Sequence, residues 1–176
     1  MPKAHRYEVS IVVPLAAEPV WHILSREYGR VQDYADQIVA SRYAEGHSAG
    51  GEGCERVCDL NPKGTSFLRE QMVNVDDERM QYTNVLTDAK GAPLVPGVSR
   101  TIFGVRRLGE SSSTLWADST VQTRPAFLAT LLKGVFRKSM RDYLLSVSHH
   151  LCTGEVVGRK HIKAIRAAYA AQQAVA

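Results

Sequence analysis

The chain has 176 residues, 44% hydrophobic and 23% charged, with a formal net charge of +4, an ordinary balance for a soluble globular protein and enough length for one domain with a substantial core. No apolar run approaches the roughly 18 to 20 residues that span a bilayer, and no charged-then-apolar segment opens the chain, so the expected location is the cytoplasm. Three cysteines form no disulfide framework, and Cys54 and Cys58, roughly 13 Å apart along a presumed strand, read as small core or cavity-wall residues.

His5 to Val13 alternates, with Tyr7, Val9, Ile11 and Val13 on one face, and predicts a first strand that Pro14 ends. Ala16 to Leu24 follows as a short helix with Pro19 in its first turn. Gly29 breaks it, Val31 to Tyr34 forms a second short helix, and Ile38 to Glu45 reads as the second strand. The loop Gly46 to Gly53 is rich in glycine, and successive backbone amides can cradle an anion. It lacks the Gly-Lys-Ser/Thr ending and the following helix that phosphate binding needs, so it reads as a turn between strands.

The stretch Gly53 to Asp88 organises the rest. Gly-Cys-Glu-Arg-Val-Cys-Asp-Leu, a Pro-Lys-Gly turn, Phe-Leu-Arg-Glu-Gln-Met-Val-Asn-Val, a second turn at Asp76-Asp77-Glu78-Arg79 and Met-Gln-Tyr-Thr-Asn-Val-Leu form a β-meander. Side chains two apart share a face, so Arg56, Cys58 and Leu60 go together, as do Glu70 with Met72, and Met80 with Tyr82 and Asn84. Neither face is cleanly apolar. A sheet around a partly polar cavity and a sheet with one solvated face both satisfy this pattern.

Ala89 to Gly97 reads as a long loop, and Val98 to Leu108 and Thr114 to Thr123 complete seven strands. Pro125 sits where a helix can start. Leu128, Leu131, Leu132, Val135, Phe136, Met140, Tyr143, Val147 and Leu151 recur every three or four residues, predicting one helix over 126–151, about 39 Å long. Lys133, Arg137 and Arg141 lie opposite as a solvated stripe. Gly134, unfavourable by about 1 kcal/mol within a helix, suggests close packing there. Residues 152–176 carry Arg159, Lys160, Lys163 and Arg166 against Glu155, a basic extension whose Ile162, Ile165 and Tyr169 predict a short helix.

The run Gly53-x-x-Arg56-x-x-x-Leu60, then Leu68-Arg69-Glu70 leading to Val75-Asp76-Asp77-Glu78-Arg79 and Tyr82, resembles the helix-grip superfamily. That superfamily includes the START-like lipid-transfer domains, the birch-pollen-allergen proteins, the abscisic-acid receptors and the bacterial polyketide cyclase/dehydrase-like proteins, the last being the nearest in pattern. The likeness spans about residues 5 to 151, and the order of elements carries it. It implies an α+β helix-grip fold over residues 1–151, in which a seven-stranded curved antiparallel sheet wraps around the long C-terminal helix and two short helices between strands 1 and 2 form a V. In the abscisic-acid receptors the loops corresponding to residues 89–97 gate the cavity mouth, and the alternative reading of this stretch is a slack surface connection.

On that resemblance Arg56, Glu70 and Tyr82 line an internal cavity. The expected ligand-facing set is Arg56, Cys58, Glu70, Tyr82 and Asn84 from the meander with Val135 and Tyr143 from the helix. Asp118 stays open in direction, because Leu115, Ala117 and Val121 offer the more apolar face of its strand. The first functional expectation is enclosure of a small hydrophobic or amphipathic molecule, such as a lipid, quinone or polyketide. The second is a polyketide cyclase/dehydratase-type enzyme with Glu70 as the candidate acid–base residue. The third is an interaction module of the coenzyme-Q-binding type. The competing reading of Arg56, Arg69 and Glu70 is a surface ion-pair ladder.

No nucleophile elbow, Walker loop, dinucleotide fingerprint or zinc signature occurs, no cofactor or metal is expected, and His149 and His150 read as dipole-compatible residues at a helix C-terminus. The basic extension reads as solubilising, with an anionic membrane or RNA as its sharper alternative and DNA not implied. Monomer and homodimer are equally compatible with the sequence.

Overall fold

The computed structural model describes residues 4–175, and for 173–175 the backbone alone; the last alanine, position 176, lies outside the described residues. Seven antiparallel strands form one sheet in the order β1-β7-β6-β5-β4-β3-β2. They are β1 (His5–Val13), β2 (Ala40–Tyr43), β3 (Glu55–Asp59), β4 (Phe67–Asp76), β5 (Gln81–Lys90), β6 (Arg100–Arg107) and β7 (Ser113–Val121). The helix α1 (Ala17–Ser25) and a 3-10 helix at Tyr28–Asp33 connect β1 to β2, and α2 (Phe127–Leu131), α3 (Lys133–Thr153) and α4 (Ile162–Val175) follow β7. The seven strands, the two short helices and the C-terminal helix agree with the sequence reading.

Each strand keeps one face for the interior because its side chains alternate. The registers place Tyr82 opposite Phe103 and Phe103 opposite Ala117, while Met72 faces Asn84 and Asn84 faces Thr101. These rows form the concave surface, and α3 lies across it. Between Arg69 and Glu70 the β4–β5 register shifts by a bulge, and a second irregularity falls between Val73 and Asp76. Bulges bend and twist a strand locally, which curls the sheet around the helix.

The turn after β4 is tied to α1. Asp77 accepts a hydrogen bond from the Trp21 indole (2.8 Å) and from the Arg26 guanidinium (2.7 and 2.8 Å). The glycine-rich loop joins two strands, as read, and its glycine at 50 is set by close approach: a Cβ there would stand 1.9 Å from the Ser25 carbonyl oxygen. Glu52 of the same loop accepts from the backbone amides of Asn74 and Val75 (3.1 and 2.8 Å), where β4 is irregular.

Three expectations change. The helix over 126–151 is two helices, interrupted at Leu132 with φ −95° and ψ 6°. Its entry is fixed by tertiary bonds that periodicity cannot show: Arg124 N–H to the Pro93 carbonyl (2.8 Å) and Thr130 Oγ1 with His5 Nε2 (2.9 Å). A Cβ at Gly134 would meet nothing within 4 Å, so no close packing explains that glycine. The β5 strand runs on to Lys90, paired with Phe67, which shortens the following loop.

The C-terminal extension does form a helix, docked on the body. Val157 and Ile165 are buried, and the Tyr169 hydroxyl accepts the Val12 amide at the free edge of β1 (3.1 Å). Arg166 pairs with Asp142 of α3, the Nε–Oδ1 separation being 2.6 Å. Among the described residues no helix is long and apolar enough to cross a membrane.

Candidate functional site

A cavity of about 330 Å³ lies between the concave sheet and α3. Its walls are mostly apolar, from Leu68, Leu86 and Phe103 of the sheet to Phe136 and Met140 of α3, and one end is polar. At that end the β3–β4 register sets Arg56 directly opposite Glu70. Arg56 is buried, and its Nε and Nη2 lie 2.9 and 2.8 Å from Glu70 Oε2. Its Nη1 donates to the Tyr28 carbonyl (2.9 Å), and the guanidinium stands 4.0 Å from the centroid of the Tyr28 ring. A buried cation needs such partners, because desolvation otherwise makes its charge expensive. Burial opposes the Arg56 charge, and the Glu70 carboxylate leads the interactions that outweigh it, so the net shift is upward.

Three more groups complete the polar end. Asn84 Oδ1 accepts from the Tyr28 hydroxyl at 2.5 Å. Cys58 Sγ lies 3.7 Å from Glu70 Oε2, and burial is the main cause pushing its thiol up to about 12, so it stays a neutral thiol at ordinary pH. Tyr143 of α3 projects into the cavity with a fully buried hydroxyl that stands beside the Arg56 guanidinium without a well-formed hydrogen bond. Burial raises it well above an ordinary phenol, with the Arg56 charge offsetting part of the rise. A buried hydroxyl without a well-formed hydrogen bond is unfavourable by about 1–3 kcal/mol, and here it faces open space.

Of the expected ligand-facing set, Arg56, Cys58, Glu70, Asn84 and Tyr143 meet at the cavity surface. Two do not. Tyr82 is on the inner face of β5 but sits beneath Tyr28, Phe103 and Trp21, with ring centroids 6.1, 5.6 and 6.1 Å away, so it supports the wall from behind. Val135 is 59% exposed on the outside of α3. The inward row is Phe136, Met140 and Tyr143, and Val135 belongs to the row beside it, which a broad apolar stripe merges with the first. Asp118 points to Arg6 on the convex face (2.8 and 3.0 Å). Arg69 turns outward to Glu55 (3.4 Å), so the ladder of surface pairs divides into one inner and one outer pair.

Sequence reasoning missed Tyr28, which supplies a carbonyl and a ring to Arg56 and a hydroxyl to Asn84. No local signal distinguishes it, since the 3-10 helix alone brings it across the sheet. Asp36 at the cavity rim was also missed. Burial, and then the nearby Asp142, raise its carboxyl above the usual range, while Arg159 and Arg166 pull the other way. A folded-state pKa above the unfolded one penalises folding at pH above it, and the penalty fades as pH falls through it. Asp36→Asn is therefore expected to be more stable than the parent at neutral pH, the gap closing at about pH 4. Thermal unfolding at the two pH values checks this, and a less stable variant at neutral pH would refute it.

His149 and His150 lie in the last turn of α3 and contact Glu155 through its side chain (3.1 Å) and carbonyl (2.7 Å) respectively. Among the described residues no cluster of His, Cys, Asp and Glu is arranged to hold a metal.

No protein-family model and no curated protein sequence matches the chain. Solved structures do. The Zhui aromatase/cyclase from Streptomyces sp. R1128 is similar at 16% identity over 85% of this chain and 94% of that one, with a TM-score of 0.69. A START superfamily protein from Mycobacterium smegmatis is 16% identical over 80% and 94% of the two chains, TM-score 0.62. Norcoclaurine synthase from Thalictrum flavum, solved with dopamine and hydroxybenzaldehyde, is 13% identical over 85% and 87%, TM-score 0.62. At these identities the likeness establishes the helix-grip fold.

Proposed function

From this fold and its cavity, we propose that the protein binds a small hydrophobic or amphipathic molecule bearing an oxygen acceptor. The observation that carries the reading is the Tyr143 hydroxyl, fully buried, short of a well-formed hydrogen bond and facing a mostly apolar space beside the Arg56–Glu70 ion pair. Apolar walls would supply most of the affinity through burial of ligand surface, and Tyr143 with Arg56 would orient a carbonyl or phenolic oxygen. A volume of about 330 Å³ suits a molecule of modest size. The complex of norcoclaurine synthase with two small phenolic compounds fits the same ligand class.

Glu70 serves in this reading as the counter-charge that holds Arg56 in place. Its Oε2 is already engaged by the guanidinium, which supports orientation of a ligand more directly than proton transfer.

Native mass spectrometry of the purified protein, followed by denaturation and identification of released molecules, tests the reading. A stoichiometric oxygen-bearing apolar compound is the expected result. Tyr143→Phe is then expected to weaken its binding about tenfold, the effect of one hydrogen bond of about 1.4 kcal/mol. The same variant should make the empty protein slightly more stable. Undiminished affinity in Tyr143→Phe would remove the hydroxyl from the site.

A further inference from the structure

Among the described residues, eight large hydrophobic side chains are exposed. The two most exposed, Leu131 at 72% and Phe127 at 64%, fall with Val135 at 59% on nine consecutive residues of α2 and early α3. Phe127 and Leu131 lie on α2 and Val135 just past the break at Leu132, so the three are exposed together on one short segment. The neighbouring Phe136 and Met140 turn inward and line the cavity. The loop residue Pro93, also at the cavity, is bonded through its carbonyl to Arg124 N–H just before α2 (2.8 Å). The exposed apolar side chains and the cavity wall therefore share one structural unit.

The charge of this unit is one-sided. Between Asp118 and Asp142 the chain has five cations, Arg124, Lys133, Arg137, Lys138 and Arg141, and no acidic residue. All five are exposed. Such a surface repels a second copy of itself and attracts a dense negative one. A few exposed apolar side chains, on a segment whose five cations form no ion pair among the described residues, although Arg141 lies 5.9 Å from the Tyr169 ring centroid and Arg137, Lys138 and Arg141 share a groove with Glu8, have the composition of a segment that lies in the headgroup boundary of a bilayer.

We infer that the α2–α3 face docks on an anionic lipid surface, with Phe127, Leu131 and Val135 entering the boundary and the flanking cations meeting lipid phosphates. The docking face is distinct from the basic extension, whose Arg166 is engaged with Asp142. Docking requires no ligand in the cavity, so it stands or falls separately from the binding reading above.

The full-length protein is to be sedimented with vesicles of phosphatidylcholine, with and without phosphatidylglycerol, over a salt series. Binding is expected only with phosphatidylglycerol and is expected to fall as salt rises. Lys133→Ala and Arg137→Ala should each weaken it about fivefold, and Leu131→Glu about tenfold or more. Leu131→Trp should bind more tightly, a gain that damage to the fold cannot mimic. Binding indifferent to phosphatidylglycerol or salt, or Leu131 variants that match the parent, would overturn the inference. So would self-association in lipid-free solution that Leu131→Glu abolishes while vesicle binding persists, since these side chains would then form a protein interface.

Discussion

Arg56→Met is expected to lower the stability of the protein by about 3 kcal/mol, towards the lower end of the range for breaking a buried ion pair because Glu70 keeps some contact with solvent. The loss comes less from the missing attraction than from what remains. Glu70 would be left without its guanidinium partner, its side chain 16% exposed, and the Tyr28 carbonyl would lose its donor. For a chain of this size the shift in Tm is on the order of 9 °C. The double variant Arg56→Met/Glu70→Met removes both charges, and apolar side chains of similar length replace buried pairs at little cost. It should recover more than half of the loss, and a thermal double-mutant cycle measures the coupling. If the single variant cost less than about 0.5 kcal/mol, the pair would be behaving as a solvated surface bridge.

Gly50→Ala should be nearly as damaging although it adds one methyl group, at a destabilisation of about 3 kcal/mol. The new Cβ would be 1.9 Å from the Ser25 carbonyl oxygen and 2.8 Å from its carbon, backbone atoms at the C-terminal end of α1 that no rotamer change can move. Relief requires the loop to lift, which breaks the bond from Gly50 N–H to the Arg26 carbonyl (3.1 Å) and pulls on the Glu52 contacts to β4. Denaturant unfolding provides the measurement, with Gly46→Ala as the control, because a Cβ at Gly46 meets nothing within 4 Å and only its positive φ of 84° is strained. Equal losses at the two positions would show that backbone conformation, rather than the close approach to α1, governs the loop.

Much of the fold was legible because the strands carry their own instructions. β1 runs from His5 to Val13 as its alternation predicts, since one face meets the core at Val9, Ile11 and Val13 and the other meets solvent. The meander was legible for a different reason: Gly64 and the Asp76–Arg79 turn punctuate it, and the order of its residues matches a known pattern. The mixed polarity that left its faces ambiguous has a physical source. Arg56, Glu70 and Asn84 are polar residues on an inner face, and each is partnered there, which a sequence cannot display.

The long helix shows where periodicity stops. A stripe three or four residues apart identifies a face to within about one row, so Phe136 and Val135 looked equivalent, whereas one lines the cavity and the other is exposed. The break at Leu132 is likewise invisible, and the bonds that hold α2 where it lies, Arg124 N–H to the Pro93 carbonyl and Thr130 with His5, join residues remote in sequence.

The sequence by itself determined the seven strands and the order of the elements, because these follow from local spacing and turn chemistry, whereas the expectation that Arg56 and Glu70 face inward rested on the resemblance to the helix-grip pattern. The tertiary structure alone decided that Arg56 is buried against Glu70 and Tyr28, that the Tyr143 hydroxyl is buried at the cavity beside Arg56, and that Phe127, Leu131 and Val135 stay outside. Burial and pairing depend on distances between residues far apart in the chain, and no spacing along the chain encodes them.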